Sequence, residues 1–276
     1  MRSQRKRQVE KRWQDVREEI KWGRASRAPP MINLPNDTAA IARTFAPILH
    51  FHPDEGKWCC FPSDAEEIYS RFHDNWQEFK MDLTPSELDP DAPCYYEVAQ
   101  HDGWTQIRYW FWYRYNRFPG GRFGMGYHLG DWEHVEVRVY PQLEDGVVIW
   151  LLSNHLSARL GARPSYMTLP GFLPEPVTEE DNHVHTWVAL GSHAHYPSPT
   201  SRPFTVARFW RDQIADGGPV WHTADSLKPL SETNFFHFTG RWGDKKAPRS
   251  PTNGYNNPWR NAPNVLPVRY NSQVSD

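Results

Sequence analysis

The chain has only three cysteines, Cys59, Cys60 and Cys94. Two are adjacent and no C-x-x-C spacing occurs, so the sequence encodes neither a disulfide framework nor a zinc knuckle. Buried thiols in a reducing compartment are the simpler expectation. No apolar run approaches the roughly 20 residues that a membrane helix needs. The first residues carry charge without an apolar stretch and do not read as a secretory signal. The chain is therefore expected in the cytoplasm, or exported by a route without a cleavable signal. Charge of one sign is not in excess either. The formal net charge is -2, which gives the whole molecule no electrostatic reason to seek nucleic acid. Two catalytic frames are also missing. The glycines between residues 120 and 126 are followed by no Gly-Lys-Ser/Thr and open no helix, so they are not a phosphate loop. Ser192 beside His193 lacks the G-x-S-x-G frame of a nucleophile elbow.

Aromatic residues are abundant, at 14% with fourteen Trp, alongside 25 Pro and 17 Gly. That balance argues for many turns, few long helices and either a large aromatic core or a ligand-lining surface. The expected fold is an all-β, antiparallel β-sandwich with a few peripheral helices and an N-terminal amphipathic helix. Residues 1–30 form the separate N-terminal piece and residues 31–276 the sandwich domain. Residues 1–27 hold ten Lys/Arg against four Asp/Glu, and Val9, Trp13, Val16 and Ile20 recur at helical spacing. Such a basic helix suits docking to a protein partner or an anionic surface, or packing on the domain with its charges solvated.

Local signals place the first elements. Asn36 or Asp37 caps a short helix ending near Phe45, and Ser63 with Glu66 makes a capping box for a helix to about residue 80. Between them, Ile48, His50 and His52 share one side of a strand. Residues 104–116 are almost continuously aromatic and predict another strand.

The densest chemistry lies in Tyr127-His128-Leu129-Gly130-Asp131-Trp132-Glu133-His134, which runs into Val135-Glu136-Val137-Arg138-Val139. Strict alternation predicts a half-buried strand with Asp131 and Glu133 on the side of Val135, Val137 and Val139. Carboxylates turned toward an apolar side need a cation, a donor or a water-filled pocket. His128, in a glycine-flanked turn, could fold back toward them, and the three would then hold a divalent cation with open positions. Alternatively the carboxylates pair with Arg108, Arg114, Arg117 or Arg122. Glu144-Asp145-Gly146 predicts a hairpin turn, and the returning strand would carry His155 back beside Asp131 and Glu133. His193 and His195 alternate about Ala194 and could face the same pocket, beside the small Gly191 and Ser192.

Several blocks in order resemble the Vps62-like (DUF946) family: Ala46-Pro47-Ile48-Leu49-His50-Phe51-His52-Pro53-Asp54-Glu55 with Phe61-Pro62-Ser63, Trp110 to Asn116, His128 to Val135, Ser153-Asn154-His155, Gly191 to Pro197, and Gly240-Arg241-Trp242-Gly243. The resemblance covers roughly residues 40–250. The central block is also similar to the Gly-His-Arg-His-Asp-Trp-Glu heptapeptide of the NPP1-like necrosis-inducing proteins, which are β-sandwiches holding a divalent cation and acting at plant membranes. That resemblance implies metal ligands at His128, Asp131 and Glu133. The second heptapeptide histidine is Gly130 here, and a further upstream metal aspartate has Asn116 as its nearest match.

Two functions follow as expectations. One is a metal-assisted hydrolase with His155 or His193 as general base and Asn116, Ser192 and His195 as substrate contacts. The other is a non-catalytic, cation-dependent binder of a glycan, lipid head group or small molecule, of cytolysin or effector type. Oxygen-rich ligation suggests Mg or Ca, and adding His155 or His193 would favour Zn, Mn or Fe.

Overall fold

The computed structural model describes residues 34, 36–58, 60–117, 119, 126–141, 147–152, 167–171, 183–203, 205–206 and 210–252. The basic N-terminal segment, the 144–146 turn and His155 lie outside the described residues.

The chain is all-β with short helices. Its main sheet has six strands in the order β12-β2-β3-β4-β5-β6, formed by Leu227–Pro229, Cys94–His101, Trp104–Asn116, His128–Tyr140, Val147–Leu152 and Met167–Gly171. The second sheet has four, in the order β11-β1-β7-β8, formed by Val220–His222, Ile48–His50, His185–Val188 and His195–Tyr196. A short ribbon pairs β9 (Thr205–Val206) with β10 (Trp210–Arg211). The sandwich is not wholly antiparallel as expected. β12 pairs with β2 in parallel, and so does β1 with β7. Parallel partners need long crossovers, and here most of the main sheet intervenes between β1 and β7 in sequence.

The two sheets face each other across one aromatic and aliphatic core. Tyr109, Phe111, Tyr113, Val135, Val137 and Val139 of the main sheet meet Leu49, Phe51, Val188 and Trp221 of the other. The alternation predicted for residues 131–139 is therefore borne out. The expected hairpin also forms, with Tyr140 opposite Val147 and Val135 opposite Leu152. The outer face of the main sheet is covered as well. Trp110, Trp112 and Trp132 pack there with Ile68, Phe79, Phe235 and Trp242. Burial on both faces explains why β3 reads as a nearly unbroken aromatic run.

Three short helices surround this frame. α1 (Thr38–Thr44) is capped by the Asp37 carboxylate, which accepts from the Ala40 amide at 3.0 Å. α2 is Glu55–Trp58 and α3 is Ala65–Phe72. α3 differs from its prediction at both ends. Asp64 rather than Ser63 is the cap, accepting from the Glu66 amide. The helix stops at Phe72, and Asn75 then caps a separate 3-10 turn at Trp76–Glu78. The aromatic spacing of Phe72, Trp76 and Phe79 continues, but Asn75 supplies its own local hydrogen bond and competes with helix extension. No helix among the described residues is long and apolar enough to cross a membrane.

Candidate functional site

The parallel pairing of β1 and β7 delivers two loops to the start of β4. The loop after β1 opens α2 with Glu55. The loop after β7 runs Gly191-Ser192-His193-Ala194. Gly191 has φ +62° and His193 has φ +54°, a left-handed conformation uncommon outside glycine. The Gly191 amide donates to Glu55 Oε2 at 3.1 Å, and the Arg117 amide donates to the Gly191 carbonyl at 2.7 Å. The Ala189 carbonyl accepts from the His193 amide at 2.9 Å, and the Ala189 amide donates to the Ala194 carbonyl at 2.9 Å. The loop is thus fixed from both sides.

His193 is fully buried and sits between two carboxylates. Its Nδ1–H donates to Asp131 Oδ2 at 3.0 Å, and its Nε2 lies 3.5 Å from Glu55 Oε1. The ring lies flat on Tyr113 of β3, with centroids 3.7 Å apart and planes 4° from parallel. Burial alone would lower the pKa of this imidazole. Hydrogen bonding to Asp131 and Glu55 and the charge of both carboxylates outweigh burial and raise it to about 10. His193 is therefore an imidazolium at neutral pH, an ion-pair partner rather than a proton acceptor. That runs against the general-base role expected for it.

The other sequence-predicted residues fall around this core. Asn116 donates to Asp131 Oδ2 at 3.2 Å and to the Ser192 carbonyl at 3.5 Å. The Ser192 hydroxyl donates to Asp212 at 2.7 Å, and Asp212 also accepts from Tyr196. His195 Nδ1 contacts the Thr186 hydroxyl at 3.0 Å, and burial, followed by the charge of His193, pushes its pKa down to about 3. Asn116, Ser192 and His195 are all buried. Each makes internal hydrogen bonds that support the site. Of the arginines expected to balance Asp131 and Glu133, Arg122 lies outside the described residues, and the other three have further partners. Arg108 pairs with Glu97 and Glu136, Arg114 with Glu67, and Arg117 stacks over Trp58.

His128 is not drawn into the acidic cluster. Its Nδ1 contacts the Gly130 carbonyl at 2.8 Å, where Gly130 has φ +65°. The ring lines an open groove of about 520 Å³ with Trp76, Phe79, Tyr127 and Leu129. Gln77, Lys80, Met81, Gly243 and Asp244 complete the groove. Among the described residues, no three His, Cys, Asp or Glu side chains stand close enough to hold a metal unaided. His128, Asp131 and Glu133 are thus not gathered as a closed triad.

Sequence reasoning missed Glu55 and the groove residues around Trp76. Glu55 belongs to the block that carries the family resemblance, yet no local pattern marks its carboxylate as a partner for a residue 138 positions later. The groove combines three chain segments and has no linear signature.

No family model matches the chain. Two curated relatives from Saccharomyces cerevisiae do. Over 175 residues the chain is 26% identical to TDA6, named as a vacuolar protein sorting-associated protein, and over 184 residues 26% identical to vacuolar protein sorting-associated protein 62. These stretches cover 55% and 56% of the chain but only 38% of each relative, so the chain spans well under half their length. Among solved structures, Necrosis and Ethylene inducing Protein 2 from the causal agent of cocoa's Witches Broom disease aligns with TM-score 0.41 and 15% identity, over 83% of this chain and 91% of that one. The non-toxic HaNLP3 protein aligns with TM-score 0.38 and 14% identity, over 76% and 81%. NLPPya in complex with mannosamine aligns with TM-score 0.35 and 14% identity, over 75% and 81%. The chain is similar in sequence to the yeast Vps62 proteins, and solved necrosis-inducing proteins are among its structural neighbours, the two resemblances that its ordered motifs imply.

Proposed function

We propose that this protein is a non-catalytic, cation-assisted binder of a polyhydroxylated ligand of glycan type, taken up in the groove beside His128. The groove lining carries this reading. Trp76, Tyr127, Phe79 and Leu129 offer apolar faces for sugar C–H groups, while Gln77, Lys80, His128 and Asp244 offer donors and acceptors. Mostly apolar walls with a few polar groups are the usual make-up of a small-ligand site.

The neighbouring carboxylates fit a hard divalent cation better than zinc. Glu55, Glu133 and Asp131 all act on the buried Tyr113 hydroxyl. Burial first, and then these carboxylates, push its pKa well above the usual value. Among the described residues, Tyr113 Oη is buried without a hydrogen-bond partner, and Glu55 Oε1 has only the long 3.5 Å contact to His193. One imidazolium faces two carboxylates, Asp131 and Glu55, so this buried group retains negative charge that a cation would offset. Magnesium-type ions need only one or two carboxylates and complete their shell with water. Asp131 and Glu133 would hold the ion. When bound it would supply a fixed positive charge on the core-facing side of the main sheet. Binding rather than turnover is the reading because the groove that carries it has the apolar walls and scattered polar groups of a ligand site.

Elemental analysis and glycan-surface binding test the proposal together. Wild type is expected to carry a hard divalent ion of the Mg, Ca or Mn type that Asp131→Asn/Glu133→Gln does not carry. Gln77→Ala and Lys80→Ala remove exposed groups from the groove wall and should each weaken glycan binding by roughly two- to tenfold, the worth of one hydrogen bond, with an unchanged Tm. Glycan binding indifferent to both wall variants would remove the groove from the account. Cation-dependent turnover of a phosphoester or glycan would replace binding with hydrolysis.

A further inference from the structure

The candidate site leaves unused a histidine pair on the outer face of the four-stranded sheet. His50 Nε2 lies 2.8 Å from His185 Nδ1. The rings belong to neighbouring parallel strands, whose register sets Ile48 against His185 and His50 against Trp187. His50 stacks on Trp187 at 4.6 Å and 11°, and on His185 at 5.1 Å and 27°. Two further donors stand nearby. β11 places His222 opposite Ile48, on the same face as His50. Asp216 accepts from the Trp187 indole at 3.3 Å. Burial and then the neighbouring His185 lower the pKa of His50, with Asp216 opposing and His222 adding to the effect. At neutral pH this ring is an uncharged imidazole with a lone pair.

We propose that His50 and His185 form a surface site for a transition-metal ion of the zinc, nickel or copper class, which takes the place of the hydrogen between the two facing ring nitrogens and clasps β1 to β7. An imidazole in its neutral form offers one lone pair. Metal–nitrogen bonds of about 2.0–2.1 Å at a tetrahedral angle need the nitrogens roughly 3.3 Å apart. The pair must therefore open by only about half an ångström, a small torsional adjustment for rings at a sheet surface. The ring that donates in the present contact moves its proton to its other nitrogen, so two neutral rings bind the metal without releasing a proton. In acid, protons compete with the metal for the same lone pairs. Water fills the remaining positions. Imidazole selects Zn, Ni and Cu over Mg and Ca, which separates this site chemically from the carboxylate cluster. A clasp here has a structural consequence. β1 runs on into Glu55 and β7 into His193, so the metal would tie together the strands that deliver both ends of the buried ion pair.

The test is calorimetric titration of nickel chloride into the untagged full chain, with excess magnesium present to fill any oxygen-rich site. One equivalent is expected to bind at pH 7.5 and to raise Tm. His50→Gln and His185→Gln should each lower the affinity at least about tenfold, abolish the rise in Tm, and leave the circular dichroism spectrum unchanged. His52→Gln, on the adjoining loop, should bind as wild type. The proposal is overturned if nickel does not bind, or if both ring variants bind it as tightly as wild type.

Discussion

His193→Asn is expected to lower the unfolding free energy by about 3–5 kcal/mol, the usual cost of removing one partner from a buried ion pair. At this chain length that corresponds to a drop in Tm of roughly 6–20 °C. Asparagine is the informative replacement because it tolerates the positive φ of +54° better than most residues. The loss then reports the missing charge rather than backbone strain. It arises because Asp131 and Glu55 remain buried at 5% and 0% exposure with their shared cation gone. Combining His193→Asn with Asp131→Asn should recover part of the loss, and a double-mutant cycle measures how much. If the single variant melts within a degree or two of wild type, the ion pair does not hold this loop.

The same residue gives the protein an alkaline limit. His193 titrates near 6.5 when unfolded and at about 10 when folded. A group whose pKa is raised by folding contributes stability fully below its unfolded value, and that contribution disappears as pH rises through the folded value. Urea unfolding between pH 7 and 10.5 should therefore show wild-type stability falling steadily, with a shallower fall in His193→Asn. Parallel curves for the two proteins would mean that His193 is not an imidazolium in the folded state.

Much of the frame was legible because it depends on local period. The alternation from Asp131 to Val139 predicts both the strand and its inward carboxylates, and Glu144-Asp145-Gly146 predicts the hairpin that pairs Tyr140 with Val147. Asp37 caps its helix as its chemistry requires. What escaped depends on chain crossings and on single backbone angles. The parallel β1–β7 contact that brings Glu55 to His193 is non-local, and neither residue's neighbours encode it. His128 shares a motif with Asp131, yet the positive φ of Gly130 lies between them and its ring turns to the Gly130 carbonyl. Spacing alone treats His128 and Asp131 as one cluster, whereas the structure divides them between a groove wall and a buried ion pair. Two of the arginines near in sequence, Arg108 and Arg114, pair instead with Glu136 and Glu67.

Gly191→Ala should disrupt the site as severely as loss of the imidazolium, for a reason that involves no charge. A methyl group at this position would lie 1.7 Å from the Arg117 carbonyl oxygen and 2.5 Å from Trp58 Cδ1. Neither neighbour yields easily. The Trp58 indole donates to that same carbonyl at 2.6 Å, and the Arg117 guanidinium donates back to the Trp58 carbonyl at 2.9 Å while lying over its ring. The clash adds an overpacking cost of about 1–3 kcal/mol to left-handed strain of roughly 1–2 kcal/mol. Gly217 separates the two contributions. It has φ +84° but open space around its Cβ position, so Gly217→Ala should show the strain alone. Equilibrium unfolding of both variants gives the steric part by subtraction. Gly191→Ala should also lose the alkaline fall in stability, because relieving the clash moves the segment that holds Glu55 and His193 together. Equal losses in the two variants would show that the 191–194 loop can shift away from Arg117, and that the close fit of glycine against this carbonyl is not what sets the imidazolium between its carboxylates.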